Sequence, residues 1–203
     1  MFDKVAVQCR PLTEESLDSL LAFMDRDAFA DNPHWRSCHC VFHYLSDETD
    51  GAWSERTGAD NRAELTARVR TGTGQWIVAY REGQIVGWVN ADWRPALRRY
   101  DEWETPSEPD TGLVACFVVH PAWRRRGIAR QLLDAAVSTL FEQGARRVDA
   151  YVIADPAAAA RTEPELGPDQ LAHHGPLSMY RDAGFVLLEQ DGGIAHVRKT
   201  EAR

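Results

Sequence analysis

Hydrophobic and polar positions along the chain follow two different periods, which predicts a mixture of strands and helices. Alternating or continuous apolar runs predict strands at residues 5–10, 75–80, 84–93, 113–119, 148–153, 185–189 and 194–198. Apolar residues at helical spacing predict helices after Thr13 and at 55–70, 126–143 and 176–182. The segments 95–111 and 155–174 lack a clear period, and we expect loops there. The pattern of residues 28–50 is irregular and aromatic, with a break at Asn32-Pro33. Strands with interposed helices and terminal hairpins predict an α/β, or mixed α+β, fold in one domain spanning residues 1–203.

The composition is that of an ordinary globular chain of 203 residues, with 44% hydrophobic and 27% charged residues. Its net charge of −8 argues against nucleic-acid binding, because an acidic surface repels the phosphate backbone. The first residues lack a signal-peptide pattern, and no apolar run approaches a membrane span, so we expect a cytoplasmic protein without a membrane partner. Four cysteines are too few for a disulfide framework and are interpreted as reduced thiols.

The most informative segment runs from residue 116 to 133. An apolar strand ends at Pro121, and an arginine-rich turn and an amphipathic helix follow. Free N–H groups at a helix N-terminus attract anions, and Gly127 lets a ligand approach the backbone closely. Arginines around the turn add positive charge suited to phosphate oxygens. The segment therefore predicts a polyphosphate site.

The same residues resemble motif A of the GNAT superfamily of N-acetyltransferases, with the pattern Val119, Pro121, Arg124, Gly127 and Ala129. No Gly-Lys-Ser/Thr and no Gly-x-Gly-x-x-Gly occurs in the turn, so rival phosphate motifs fit worse. The resemblance implies a GNAT-like fold: a central, mixed, mostly antiparallel sheet flanked by helices and splayed at its two central parallel strands. It also implies that the turn cradles the pyrophosphate of acetyl-CoA, while the preceding strand binds the pantetheine arm and offers a backbone N–H of residue 118 or 119 to the thioester carbonyl. The implied acetyl-CoA contacts are Phe117, Val118, Val119, Arg124, Arg125, Arg126, Gly127, Ile128, Ala129 and Arg130.

A second motif, Met-Tyr-Arg-Asp-Ala-Gly-Phe at residues 179–185, resembles GNAT motif B. Gly184 and Phe185 are interpreted as structural, at a helix end and a strand start. Tyr180 is implied to be the general acid that protonates the departing CoA thiolate, and a core tyrosine is the alternative. A phenol of pKa near ~10 can donate to a thiol of pKa ~8.5 as charge develops. Many relatives carry Asn seven residues before this tyrosine, whereas this chain has His173, so that CoA contact is either lost or replaced.

Residues 34–44 are rich in histidine, cysteine and aromatic side chains. Cys38, Cys40 and His43 suggest zinc, but no further Cys or His pair completes four ligands, so we expect no metal. In GNAT enzymes the region after the first helix walls the acceptor site. The resemblance thus implies a wall able to hold an amine by cation–π contact, and aromatic packing is an equal alternative. The implied wall residues are Trp35, Phe42, His43 and Tyr44.

The function predicted from the resemblance is direct transfer of the acetyl group of acetyl-CoA to a primary amine, on a small-molecule acceptor that the sequence does not identify. Acetylation of a protein N-terminus or lysine, and a non-catalytic acyl-CoA-binding regulator, remain alternatives. GNAT relatives are often dimers, so a homodimer is a further option. No motif places the general base, for which the candidates are Asp110, Glu104, His43 and His120.

Overall fold

The computed structural model describes residues 3–103, 108–162 and 172–201, and its centre is a seven-stranded sheet within those ranges. The strand order is β1-β2-β3-β4-β5-β7-β6, and every neighbouring pair is antiparallel except β4 and β5. This confirms the predicted mixed, mostly antiparallel sheet. The strands are β1 Gln8–Pro11, β2 Trp76–Arg81, β3 Gln84–Trp93, β4 Thr111–Val119, β5 Arg147–Ile153, β6 Val186–Asp191 and β7 Ile194–Thr200.

Helices cover both faces of the sheet and divide the core into two layers. On one face, α5 and α7 pack on apolar residues that include Leu132, Phe117 and Val152. The other face carries α1, α3 and the aromatic segment, with Leu20 and Trp88 fully buried. No helix among the described residues is long and apolar enough to cross a bilayer. The helices are α1 Glu14–Phe23, α2 Asp47–Asp50, α3 Gly58–Thr71, α4 Arg98–Trp103, α5 Ile128–Glu142, α6 Pro156–Thr162 and α7 Leu177–Asp182.

The two parallel strands separate soon after they meet. Their ladder runs only from Thr111 to Val114 in β4, opposite residues 147–150 in β5. Directly afterwards, Cys116 pairs with Asn90 of β3 while Val114 pairs with Ala91, so Ala115 is an extra, bulged residue in β4. A bulge bends its strand, and here the bend falls where the parallel ladder ends. The result is a gap in the middle of the sheet, which we call the splay.

Three element predictions are corrected by packing. The first strand begins at Gln8 rather than residue 5, because Val5 lies beside α5 and donates its N–H to the Arg126 carbonyl at 3.1 Å. The predicted loop at 95–111 contains α4, which is held by the buried Leu97 and Tyr100. The predicted loop at 155–174 contains α6 and a 3₁₀ turn at Ala172–His174, and its remaining residues lie outside the described ranges.

A buried ion pair joins β5 to β7 beside the splay. Asp149 is 1% exposed and accepts hydrogen bonds from Arg198 at 2.7 and 2.8 Å and from His196 at 3.0 Å. Burial alone would raise the pKa of Asp149, but the bonds from Arg198 and His196 outweigh it and lower that pKa. The carboxylate is therefore an ionised brace between the two strands.

We predict that Asp149→Asn lowers the free energy of unfolding by about 3 kcal/mol at neutral pH, because the Arg198 guanidinium loses its carboxylate. The folded pKa of Asp149 lies below the unfolded value of about 3.9, so the stabilisation is present above that pH and is lost as pH falls through the folded pKa. Urea unfolding should therefore show a difference between variant and parent that shrinks below about pH 4.

The matched control is Glu14→Gln, which removes the pair with Arg70 on the surface, where the two side chains are 66% and 61% exposed. This change should alter the unfolding free energy by less than about 1 kcal/mol. Equal stability of Asp149→Asn and the parent would show that the buried pair is not a brace.

Candidate active site

The connection from β4 to α5 has the backbone geometry of an anion site. Arg125 and Gly127 both have positive φ, 63° and 82°, which turns the chain tightly before the helix. The first helical bond runs from the Gln131 N–H to the Gly127 carbonyl at 3.2 Å. The N–H groups of residues 128–130 consequently have no acceptor inside α5. These donors and the helix dipole favour a negatively charged ligand at this turn.

Arg124 is held by contacts within the protein, although its side chain remains partly exposed. Its guanidinium forms an ion pair with Asp31, and its Nε donates to the Val119 carbonyl at 3.0 Å. The hydrogen bond from Arg124 is the main reason why the pKa of Asp31 is lowered. Arg124 therefore ties the end of β4 to the segment after α1, and its side chain fixes the turn.

The remaining arginines of the turn differ in their freedom to meet a ligand. Arg130 donates from Nε to both carboxylate oxygens of Asp134, at 3.0 and 2.9 Å. The Arg126 guanidinium lies 5.1 Å from the centre of the Trp123 ring. Arg125 forms no ion pair within the described ranges, so it is the arginine of this turn best placed to move towards a phosphate.

The register of β4 decides which of its backbone groups face the splay. The His120 N–H donates to the Val86 carbonyl of β3 at 2.9 Å. Because backbone groups alternate along a strand, the Val118 N–H also points towards β3. The N–H groups of Phe117 and Val119 point the other way, into the splay. The resemblance implies that the N–H of residue 118 or 119 binds the thioester carbonyl. Of these two, only the Val119 N–H faces the splay.

Tyr180 lies beneath the splay on α7 and is completely buried. Its hydroxyl donates to the His174 carbonyl at 3.0 Å. Its ring packs in a T-shaped arrangement against Phe117 and Phe185, with ring centroids 6.5 and 5.1 Å away. Burial raises the pKa of Tyr180, so the phenol keeps its proton throughout the physiological range.

Three histidines, His43, His173 and His174, lie on the opposite side of the splay from Tyr180. Together with Trp35, we call them the histidine cluster. The ring of His174 lies 3.9 Å from that of His173 and 6.5 Å from that of His43, measured between centroids. Trp35 lies 4.9 Å from His173, and His43 stacks on Tyr100 at 5.1 Å. Burial, with the charges of His173 and Arg99, lowers the pKa of His43 to about 3. Trp35 and His43 therefore lie together and remain candidates for the acceptor wall.

Phe42 and Tyr44, the other two residues of the implied acceptor wall, lie in different environments. Phe42 neighbours His43, with ring centroids 5.3 Å apart, and remains part of the candidate wall. Tyr44 is fully buried, stacks on Trp76 at 5.1 Å and donates its hydroxyl to Asp92 at 3.0 Å. Its place in the predicted wall is corrected, because this side chain belongs to the core.

Cys40 and Cys116 are buried, and Cys38 is partly buried. The Cys40 sulfur accepts the Trp88 indole N–H at 3.1 Å. A hydrogen bond with Cys40, together with burial, raises the pKa of Cys116 well above its ordinary value. Burial raises the pKa of Cys38 to about 12. A raised pKa keeps a thiol protonated and makes it a poorer nucleophile, which favours a packing role for Cys38 and Cys116.

Two of the other base candidates are engaged in contacts elsewhere. Asp110 precedes β4 at the end opposite the turn and pairs with Arg146 and Arg147 at 3.6 and 3.3 Å. The imidazole of His120 accepts the Ala122 N–H at 3.1 Å and thereby caps the 3₁₀ turn Pro121–Trp123. Glu104 lies outside the described residues.

Comparisons with known proteins agree with this arrangement. Residues 38–162 match the family model described as the acetyltransferase (GNAT) family. No curated protein matches the chain. The fold resembles that of the PaiA N-acetyltransferase from Thermoplasma acidophilum in complex with coenzyme A, at 14% identity and a TM-score of 0.53, covering 97% of this chain and 100% of that one. It also resembles ribosomal-protein-alanine N-acetyltransferase from Brucella melitensis, at 18% identity and a TM-score of 0.52, covering 96% and 99% of the two chains.

We predict that the protein purified without chelator contains well under one equivalent of zinc. The described residues include no group of three His, Cys, Asp or Glu side chains arranged to hold a metal ion. Elemental analysis of the purified protein measures this directly. Stoichiometric zinc that disappears in Cys38→Ser would contradict the prediction, and Cys9→Ser, at a cysteine in β1, is the control.

Proposed function

The chain belongs to the acetyltransferase (GNAT) family, whose activity is acetyl-CoA-dependent N-acetylation, and we propose that it transfers the acetyl group directly to the primary amine of a small molecule. The observation that carries the proposal is the combination of the turn before α5 with the splay beside it. The turn supplies unpaired N–H donors for a diphosphate, and the splay supplies unpaired strand groups for an extended, amide-containing arm.

In this proposal the pyrophosphate of acetyl-CoA lies on the N–H groups of residues 125–130, and the Arg125 side chain turns towards it. The pantetheine arm follows β4 through the splay and pairs with the backbone of Phe117 and Val119. The Val119 carbonyl is already bonded to Arg124, so the N–H groups are the contacts on which this arm depends. The arrangement delivers the thioester to the level of Tyr180 and the histidine cluster.

The chemistry proposed at that point is a direct attack. The acceptor nitrogen forms a bond to the thioester carbon, and the carbonyl electron pair moves to oxygen, where a backbone N–H that β4 directs into the splay stabilises it. The C–S bond then breaks, and Tyr180 donates to the departing thiolate. Because its pKa is raised, Tyr180 always has a proton to donate, but it must exchange its hydrogen bond to His174 for one to sulfur.

The proposed acceptor enters from the side of the histidine cluster. Its amine meets neutral rings, since burial lowers the pKa of both His43 and His174, and Trp35 offers a face for cation–π contact. A pocket of this kind favours an amine attached to an apolar or aromatic body. The free cysteines agree with a reducing compartment, and we place the activity in the cytoplasm.

We predict that Gly127→Val weakens acetyl-CoA binding more than tenfold, equivalent to ~1.4 kcal/mol, as measured by calorimetry. A Cβ at this position would meet only Lys4 among the described residues, at 3.8 Å, so crowding within the protein is not the cause. Instead, a φ of +82° is unfavourable for a β-branched residue, and relaxing it moves the N–H groups of the turn.

Gly144→Val is the matched control at the other end of α5. Gly144 has a φ of +98° and no heavy atom within 4 Å of an added Cβ, so the backbone cost is similar and the turn is untouched. Its affinity for acetyl-CoA should stay within twofold of the parent. Unchanged affinity in a folded Gly127→Val protein would show that the cofactor binds elsewhere.

We predict that Tyr180→Phe lowers kcat by ~10²–10⁴-fold while acetyl-CoA affinity changes little, because only the proton donor is removed. Losing the bond to His174 should cost about 1 kcal/mol of stability. Steady-state kinetics with an amine found in a substrate panel provides the measurement. Tyr44→Phe, which removes a buried hydroxyl away from the splay, should keep its kcat. Turnover of Tyr180→Phe within twofold of the parent would identify the phenol as packing.

A further inference from the structure

The histidine cluster contains two buried nitrogen atoms that lack a hydrogen-bond partner. The Nδ1 atoms of His43 and His174 are sealed from solvent, and neither makes a hydrogen bond within the described part of the chain. A buried polar atom without a partner costs roughly 1–3 kcal/mol, so proteins retain few of them. Two such atoms in neighbouring rings, 6.5 Å apart between centroids, indicate a place where a ligand donates hydrogen bonds.

His174 is attached to the reacting end of β4 by two contacts. Its imidazole is hydrogen-bonded to the backbone of Ala115, the bulged residue where the splay begins. This bond raises the pKa of the ring, so the ring N–H donates to a carbonyl. Because Nδ1 has no partner in the described part of the chain, we assign the proton to Nε2, which leaves the lone pair on Nδ1. The main-chain carbonyl of His174 in turn accepts the hydroxyl of Tyr180 at 3.0 Å.

We propose that His174 is the general base of the reaction and that its Nδ1 takes the proton from the acceptor amine. The inference rests on the proposed function and assigns to that site a catalytic residue that the sequence motifs do not identify. The proposal follows from the position of this residue. The His174 ring contacts the bulge of β4, and its Nδ1 has no partner among the described residues. The backbone carbonyl of His174 accepts the hydroxyl of Tyr180.

The step balances with the groups present. As the amine nitrogen bonds to the thioester carbon, the carbonyl electron pair moves to oxygen and the nitrogen becomes positively charged and more acidic. His174 Nδ1 accepts one proton from that nitrogen and becomes imidazolium, stabilised by its bond to the Ala115 carbonyl. The oxyanion then re-forms the carbonyl, the C–S bond breaks, and the thiolate receives a proton from Tyr180. The phenolate and the imidazolium return to their starting states by net transfer of one proton between them, directly or through water.

His174 is better suited to this role than the other histidines. His43 stacks on Tyr100, which suits it to orient the amine by accepting a second hydrogen bond at Nδ1. The Nδ1 of His120 already accepts the Ala122 N–H.

The test compares His174→Gln with His39→Gln in the 203-residue chain. The glutamine amide can keep the bond to the Ala115 carbonyl in place of Nε2, but it has no basic lone pair. We expect His174→Gln to lower kcat at least 100-fold with KM for acetyl-CoA within threefold of the parent. The same substitution at His39, a buried histidine that lies 4.0 Å from Asp25 and outside the histidine cluster, should leave kcat within fivefold.

Chemical rescue distinguishes a base from a structural residue. In His174→Ala, added imidazole should restore at least a tenth of the parent rate, and substituted imidazoles should restore it in order of their basicity.

The acceptors supplied in these assays are 2-phenylethylamine, spermidine, an amino acid and a short peptide with a free N-terminus. Because each reports on a different amine, the panel also identifies the acceptor class.

The outcomes separate the inference from the function on which it rests. An active parent with His174→Gln retaining kcat within tenfold overturns the base and leaves the proposed function intact. Equal losses in both glutamine variants, without imidazole rescue, also overturn it, because they indicate a structural role. A parent that binds acetyl-CoA but acetylates no amine in the panel overturns the proposed function, and the base with it.

Discussion

The early separation of two parallel strands is the constraint on which the rest of this structure depends. β4 and β5 pair over only four residue pairs, and the bulge at Ala115 then turns β4 away. Backbone groups in the middle of a sheet cannot remain unpaired without cost, so the splay must be filled by side chains or by ligand. Here the 3₁₀ turn Ala172–His174 contacts both strands, and the His174 ring bonds to the bulge itself. The gap is therefore lined with polar groups that a ligand can use.

In the proposed function, the splay also places the two reactants on different faces of the sheet. Phe117 and Tyr180 belong to the core layer under α5 and α7, whereas Cys116 belongs to the layer with the aromatic segment. The strand changes face abruptly at the bulge, because Ala115 and Cys116 are both buried in the same layer. On this proposal, a cofactor that follows β4 from the turn is approached by an acceptor from the opposite side. One extra residue in a strand would then account for both the proposed cofactor channel and the proposed acceptor entrance.

Local features of the site could be predicted from sequence, whereas features created by packing could not. Gly127 and the arginines around it lie in one continuous segment, and strand–turn–helix order alone predicts a phosphate-binding role for them. The chain also carries its helix signals locally, as with the Thr57–Asp60 capping box of α3. By contrast, α4 is short and charged, and only the burial of Tyr100 shows why it forms. The burial of Tyr44 could not be predicted from sequence either, because its hydrogen-bond partner Asp92 lies 48 positions away along the chain.

The proposed role of His174 also could not be predicted from the sequence. In sequence it is one of two adjacent histidines, and the motif comparison draws attention to His173 instead. Its significance arises from contacts with Ala115 and Tyr180, which depend on how α7 returns beneath the sheet. Burial makes the imidazole a weaker base but also keeps its lone pair unprotonated and excludes water that would compete for it. Such a ring is a poor acceptor for the proton of a free alkylammonium ion. It is better matched to the nitrogen of the tetrahedral intermediate, whose proton is more acidic, so the site favours proton transfer after bond formation rather than before it.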